Sequence, residues 1–107
     1  MPRDALAHLG IEGLGGGARL VDCLTLWLSN LIHAERDVAR ETSRLAETLA
    51  GQTSPVVLVT NEVGLGIVPD NALARRFRDA AGVMNQVIAG VADEVEFIVA
   101  GLPMRVK

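Results

Sequence analysis

The spacing of hydrophobic positions changes several times along the chain, and each change marks an element. Leu20 to Cys23 is a short apolar run broken only by Asp22, and it reads as a buried strand. From Leu24 the period lengthens. Leu24, Trp27, Leu28, Leu31 and Ile32 share one helical face. Residues 35–50 predict a second helix, mostly exposed, because Val38, Leu45 and Leu49 are sparse among charges. Gly51 stops it and Pro55 follows. "PVVLVT", residues 55–60, is a continuous run rich in β-branched residues, as expected of a strand covered on both faces. "NEVGLGIVPDN" then forms a loop, with Asp70 or Asn71 placed to cap a helix reaching about Ala92. Leu73, Phe77, Ala80, Ala81, Met84, Val87, Ile88 and Val91 make its apolar stripe. Gly82 and Gly90 each weaken that helix by about 1 kcal/mol unless close packing needs them. "VEFIVAG" reads as a third strand. Near the N-terminus, residues 3–9 suit a short helix, and the five glycines of residues 10–18 a flexible loop.

Strand, helices, strand, helix, strand is the order of a three-layer α/β sandwich with a mainly parallel sheet. Ligands in such sheets lie outside the carboxyl ends of the strands. That directs attention to "DCLT" after the first strand and "TNEVG" after the second. The 107 residues suit one domain. Half of them are apolar, and the mean hydropathy is +0.32. That is more than a small soluble monomer needs, so a partner surface or a missing part of a larger domain is expected.

Net charge −3 and a pI near 5.3 argue against a general nucleic-acid or anionic-membrane binder. A single cysteine, Cys23, excludes an internal disulfide and a cysteine zinc cluster, and suits a reducing cytoplasm. Asp4 and the absence of an unbroken apolar region make the start unlike a signal peptide. No apolar run approaches the roughly 18 residues of a membrane span.

"GLGGGARL" invites a phosphate-loop reading, but that loop needs a lysine and lies between a strand and a helix. The only lysine here is Lys107, and the glycines precede a strand, so they read as a linker. Asp22 has two readings. It is either a magnesium-linked acid at a strand's carboxyl end or the N-cap of the helix from Leu24. Thr25 is likewise a second cap or a magnesium-side hydroxyl. Asn61 and Glu62 follow the strongest strand. Asn61 suits a turn, and Glu62 divides between a turn role and the ligand crevice. Arg75, Arg76 and Arg78 occupy the start of the long helix, where its dipole disfavours cations. They either meet an anion or form a solvated face. His8 and His33 have no partners nearby and read as surface or partly packed residues. Trp27 and Cys23 read as core.

Together, "VDCLTLWLSNL" and "VLVTNEVGLGIVPDNALARRFRDAAGVMNQVIAGVADEV" resemble the bifunctional adenosylcobinamide kinase/adenosylcobinamide-phosphate guanylyltransferase family, from about Leu20 to the C-terminus. The resemblance implies a P-loop nucleotide-binding fold, RecA-like in strand order. It implies phosphorylation of adenosylcobinamide by a nucleoside triphosphate, GTP or ATP. GMP is then transferred from GTP through a guanylylated histidine to give adenosyl-GDP-cobinamide. Mg2+ and an oligomer are implied as well. Asp22, with Thr25 beside it, falls at the family's second acidic nucleotide motif, which makes Asp22 a nucleotide or Mg2+ contact. Asn61 and Glu62 fall in its "NEVG" segment, at the active-site rim.

Two family features are absent. The sequence has no G-G-x-R-S-G-K-[ST] phosphate loop and no guanylylated histidine after it, and neither His8 nor His33 inherits that role. The chain is therefore expected to be a single partial domain, 1–107, the C-terminal part of the enzyme and inactive alone. The missing loop strand belongs between "PVVLVT" and "VEFIVA". Its loss leaves edges and apolar surface to be covered by homo-oligomerisation or by the missing part. The alternative is a non-catalytic assembly or partner-binding module derived from the same fold.

Overall fold

A computed structural model describes residues 19–62 and 71–107. The expected helix at residues 3–9, the glycine-rich segment 10–18, Asp70 and most of the loop before it lie outside the described residues. The order is β1 (Arg19–Asp22), α1 (Leu24–His33), α2 (Val38–Ala50), β2 (Val56–Val59), α3 (Ala72–Val91), β3 (Glu96–Val99) and β4 (Leu102–Arg105).

The structure is α/β, with β1 and β2 pairing in parallel, Leu20 opposite Val57 and Asp22 opposite Val59. Period-2 alternation sorts their side chains. Val21, Val56 and Leu58 turn towards the helices, while Leu20, Val57 and Val59 are exposed. All three helices share one core under the inward face. Leu24, Leu28, Leu31, Leu45 and Met84 are fully buried there, with Trp27, Ala81 and Ile88 around them. The helical period of α1 thus becomes a packed stripe.

Two expectations change here. Among the described residues, helices cover one face of the parallel pair rather than two. The β2 run is therefore half covered, and an apolar surface stays open. In addition, β3 does not join the parallel sheet. It pairs antiparallel with β4, Val99 opposite Leu102. Ala100 (φ 51°) and Gly101 (φ 77°) turn the chain between them, as a two-residue hairpin with positive φ at both positions requires. Pro103 in β4 obscured this strand in the sequence. Proline is tolerated there because β4 lies at an edge of its two-stranded sheet. Phe97, Ile98, Val99, Leu102 and Met104 are exposed on the hairpin.

Helix α2 begins three residues later than the pattern suggested. Glu35 adopts a left-handed φ of 55°, and Asp37 caps the helix by accepting a hydrogen bond from the Arg40 amide. The helix is also less exposed than its charges implied. Glu41 is only 4% exposed. It accepts a hydrogen bond from Arg36 Nη2 at 3.2 Å and lies 3.6 Å from Arg44 Nη1. A carboxylate so buried needs such partners.

Asn71 caps α3, its Oδ1 accepting from the Ala74 amide at 2.7 Å. At the other end Lys107 Nζ donates to the carbonyls of Ala89 and Gly90, a favourable cation site at a helix C-terminus. Phe77, Ala80, Ala81, Met84 and Ile88 form the buried stripe, while Leu73, Val87 and Val91 remain exposed. A Cβ at Gly82 or Gly90 would meet nothing within 4 Å, so packing requires neither glycine. Gly82→Ala is therefore expected to stabilise the chain by about 0.5–1 kcal/mol, read as a rise in the urea midpoint. A fall in midpoint would mean that something occupies this surface.

Candidate functional site at the strand ends

The parallel pair brings its two carboxyl ends together, and α1 and α3 supply side chains to the same place. Asp22 ends β1 and is exposed. It does not cap α1. Cys23 holds the N-cap position, and its side chain makes no capping hydrogen bond. The capping reading of Asp22 is thus replaced by an acid held at a strand end with its carboxylate towards solvent.

Thr25, in the first turn of α1, does not act as a second cap either. Its Oγ1 accepts a hydrogen bond from the Asn61 amide at 3.1 Å and lies 3.5 Å from Thr60 Oγ1. Thr60 Oγ1 donates to Asn85 Oδ1 at 2.7 Å, and Asn85 Nδ2 donates to the Asn61 carbonyl at 3.1 Å. Thr25, Thr60, Asn61 and Asn85 therefore form one polar cluster beside Asp22. Asn61 takes part through its backbone. Glu62 follows it and is exposed.

Thr60 and Asn85 were not among the residues singled out by sequence. Asn85 carried a signal nonetheless. It is a poor helix former in mid-helix, next to the core position Met84. Such a residue asks for a partner.

The arginines separate. Successive helical residues turn by about 100°, so Arg76, nine residues before Asn85, lies on the opposite side of α3 and about 14 Å along it. Arg75 and Arg76 instead border a groove between α2 and α3 of about 650 Å³, whose walls include Val38, Thr42, Val83 and Val87. Arg78 shares the face of Asn85 two turns earlier and lies 3.6 Å from Asp79 Oδ1. The structure thus brings Asp22, Thr25, Asn61 and Glu62 to one region and places Arg75 and Arg76 elsewhere. His33 is a surface residue whose Nδ1 bonds the Ser29 carbonyl at 2.8 Å. Trp27 is core, as expected, and Cys23 is half-buried. His8 lies outside the described residues.

Residues 4–106 match the family described as cobinamide kinase / cobinamide phosphate guanyltransferase. The chain belongs to this cobinamide kinase/guanyltransferase family. The match reaches further towards the N-terminus than Leu20, where the motif resemblance began. The bifunctional adenosylcobalamin biosynthesis protein CobP of Pseudomonas aeruginosa is 44% identical over 108 residues, covering 99% of this chain and 62% of that protein. The bifunctional adenosylcobalamin biosynthesis protein CobU of Salmonella typhimurium is 41% identical over 105 residues, 84% of this chain and 58% of its own length. The Escherichia coli protein of the same name is 37% identical over 103 residues, with coverages of 82% and 57%. This family member thus spans about 60% of the length of the curated relatives it matches.

The donors at the strand ends of this family member are a carboxylate, hydroxyls and amide oxygens. All are hard ligands of the kind magnesium prefers. Among the described residues no three or more His, Cys, Asp or Glu side chains form a metal-holding group, so they contain no self-sufficient carboxylate cage. Nor, among them, is any helix long and apolar enough to cross a membrane.

Proposed function

We propose that the chain is the C-terminal part of a cobalamin-biosynthetic enzyme that phosphorylates adenosylcobinamide and transfers GMP from GTP to the product, giving adenosyl-GDP-cobinamide. The family match over residues 4–106 carries this reading. The polar cluster at the carboxyl ends of a parallel pair supports it, since open α/β sheets bind ligands there. In this reading the complete fold is RecA-like and three-layered, and the protein works in the cytoplasm. Further strands stand beside β2 and β3, which lie in separate sheets here.

Asp22, with Thr25 beside it, contacts the nucleotide and its Mg2+ in the complete enzyme. One carboxylate suffices for that task, because magnesium takes most of its remaining ligands from phosphates and water. The ion neutralises charge on the transferring phosphoryl group when bound. Asp22 supplies a fixed negative charge, while Asn61 and Glu62 form the rim. The phosphate-loop lysine and the nucleotide-carrying histidine come from elsewhere, since the sequence holds neither motif. The exposed Leu20, Val57 and Val59 face and the exposed hairpin suit cover by that missing part or by a second copy.

The test is reconstitution with the portion of the Pseudomonas aeruginosa relative that this chain does not span. Neither half-reaction is expected from the chain alone, and both from the mixture. The open apolar face also favours the second reading, a non-catalytic assembly module. That module would bind the added portion yet leave adenosylcobinamide and GTP untouched. Micromolar GTP binding by the chain alone in calorimetry would contradict its expected incompetence.

A further inference from the structure

We infer that Asn85 is a positioning residue that aims the Thr60–Glu62 segment at the ligand crevice. The inference deepens the reading above and rests on it for its functional part.

The β1–β2 ladder ends at Val59, so among the described residues Asn61 has no strand partner for its N–H or its carbonyl. Backbone groups released from a sheet must find other partners or water. Here two side chains from two different helices take them. Thr25 Oγ1 on α1 accepts from the N–H, and Asn85 Nδ2 on α3 donates to the carbonyl. The residue immediately before Glu62 is therefore clamped on both sides of its backbone by α1 and α3.

Proton bookkeeping closes the cluster into a ring. A backbone carbonyl only accepts, so Asn85 must turn its NH2 towards Asn61. Its Oδ1 then faces Thr60, whose hydroxyl proton is committed to it at 2.7 Å. In the 3.5 Å contact between the two threonines, Thr25 is accordingly the donor. The Thr25 hydroxyl, the Thr60 hydroxyl and the Asn85 amide each donate once and accept once, and the Asn61 backbone completes the circuit. Such networks strengthen their members mutually.

This arrangement has a chemical use. Asp22 is carried by β1 and Glu62 by the segment after β2, and the two must be registered to act on one ligand. Ladder pairing registers Asp22 with Val59 but stops three residues short of Glu62. Asn85 and Thr25 extend the registration past the end of the ladder. Functional groups need supporting shells of this kind to hold productive geometry within about 0.5 Å.

The test has two arms. In the chain alone, backbone order parameters of Asn61 and Glu62 are expected near 0.85, falling below about 0.6 in Asn85→Ala. Asn85→Asp should fall equally, because it sets an acceptor against the Asn61 carbonyl. Thr25→Val should also loosen the segment, whereas Thr25→Ser, which keeps the hydroxyl, should retain order. Core amides of Leu28 and Leu45 report that each variant is folded. In the reconstituted enzyme, Asn85→Ala is expected to lower kcat on the order of 100-fold with KM nearly unchanged, the signature of misplaced rather than absent groups. A Thr60–Glu62 segment as ordered in Asn85→Ala and Asn85→Asp as in the parent would overturn the inference. So would a loosened segment with unchanged kcat. An inactive parent mixture would sink the enzymatic reading, while the order parameters would still decide whether Asn85 holds the segment.

Discussion

Asp22→Asn in the reconstituted enzyme is expected to slow both half-reactions by 100-fold or more, on the order of the loss seen when one charge-stabilising group is removed from a preorganised site. The substitution keeps the size and shape of the side chain and removes its charge. Stability should not change, because Asp22 is exposed and caps no helix. The expected result is thus a collapsed rate with an unaltered urea midpoint. Equal rates for parent and variant in both half-reactions would end the proposed magnesium role. A drop in one alone would confine Asp22 to that step. Asparagine caps a helix as well as aspartate does, so this substitution tests the charge of Asp22 and not a capping role.

Leu28→Ala is the substitution expected to damage the fold most. Leu28 is fully buried at the centre of α1 and belongs to the core cluster to which all three helices contribute. Truncation removes buried carbon and leaves a cavity, for a cost of about 3–5 kcal/mol. Domains hold only about 5–15 kcal/mol in total, so little would remain for a chain with two short sheets. Urea denaturation measures the loss. Leu26→Ala, two residues away on the exposed side of the same helix, is the control and should stay within about 0.5 kcal/mol. Comparable losses in the two variants would contradict the assignment of the core face.

Leu26 and Leu28 show how much the pattern revealed. Spacing of 3.6 placed Leu24, Trp27, Leu28 and Leu31 on one face without any coordinates, and each is buried. The existence of β1, α1, α2, β2, α3 and β3 was legible for the same reason. Burial of a stripe or of alternate residues is written directly into sequence spacing. Asn71 as the α3 cap was legible because capping is local chemistry. The start of α2 was not, because Glu35 and Asp37 looked like further helical charges, and only the left-handed backbone at Glu35 separates them from the helix. Strand β4 was hidden by Pro103, which disqualifies a central strand but not an edge.

The site divides in the same way. Asp22, Thr25, Asn61 and Glu62 could be nominated from the sequence, since strand ends in open sheets face ligands. What they do there could not. Asp22 lost its capping role only when Cys23 proved to occupy the cap. Thr25 acquired its role only when Asn61, 36 residues later, arrived within 3.1 Å. Asn85 entered from a third element, and Arg75 and Arg76 left for a different groove. The chain by itself determined most of its elements, the buried face of α1 and its family, because these rest on local spacing and on motifs read in order. Only the tertiary structure decided which polar groups meet. Hydrogen bonds form over about 3 Å, and sequence order carries no information at that range between residues on different elements.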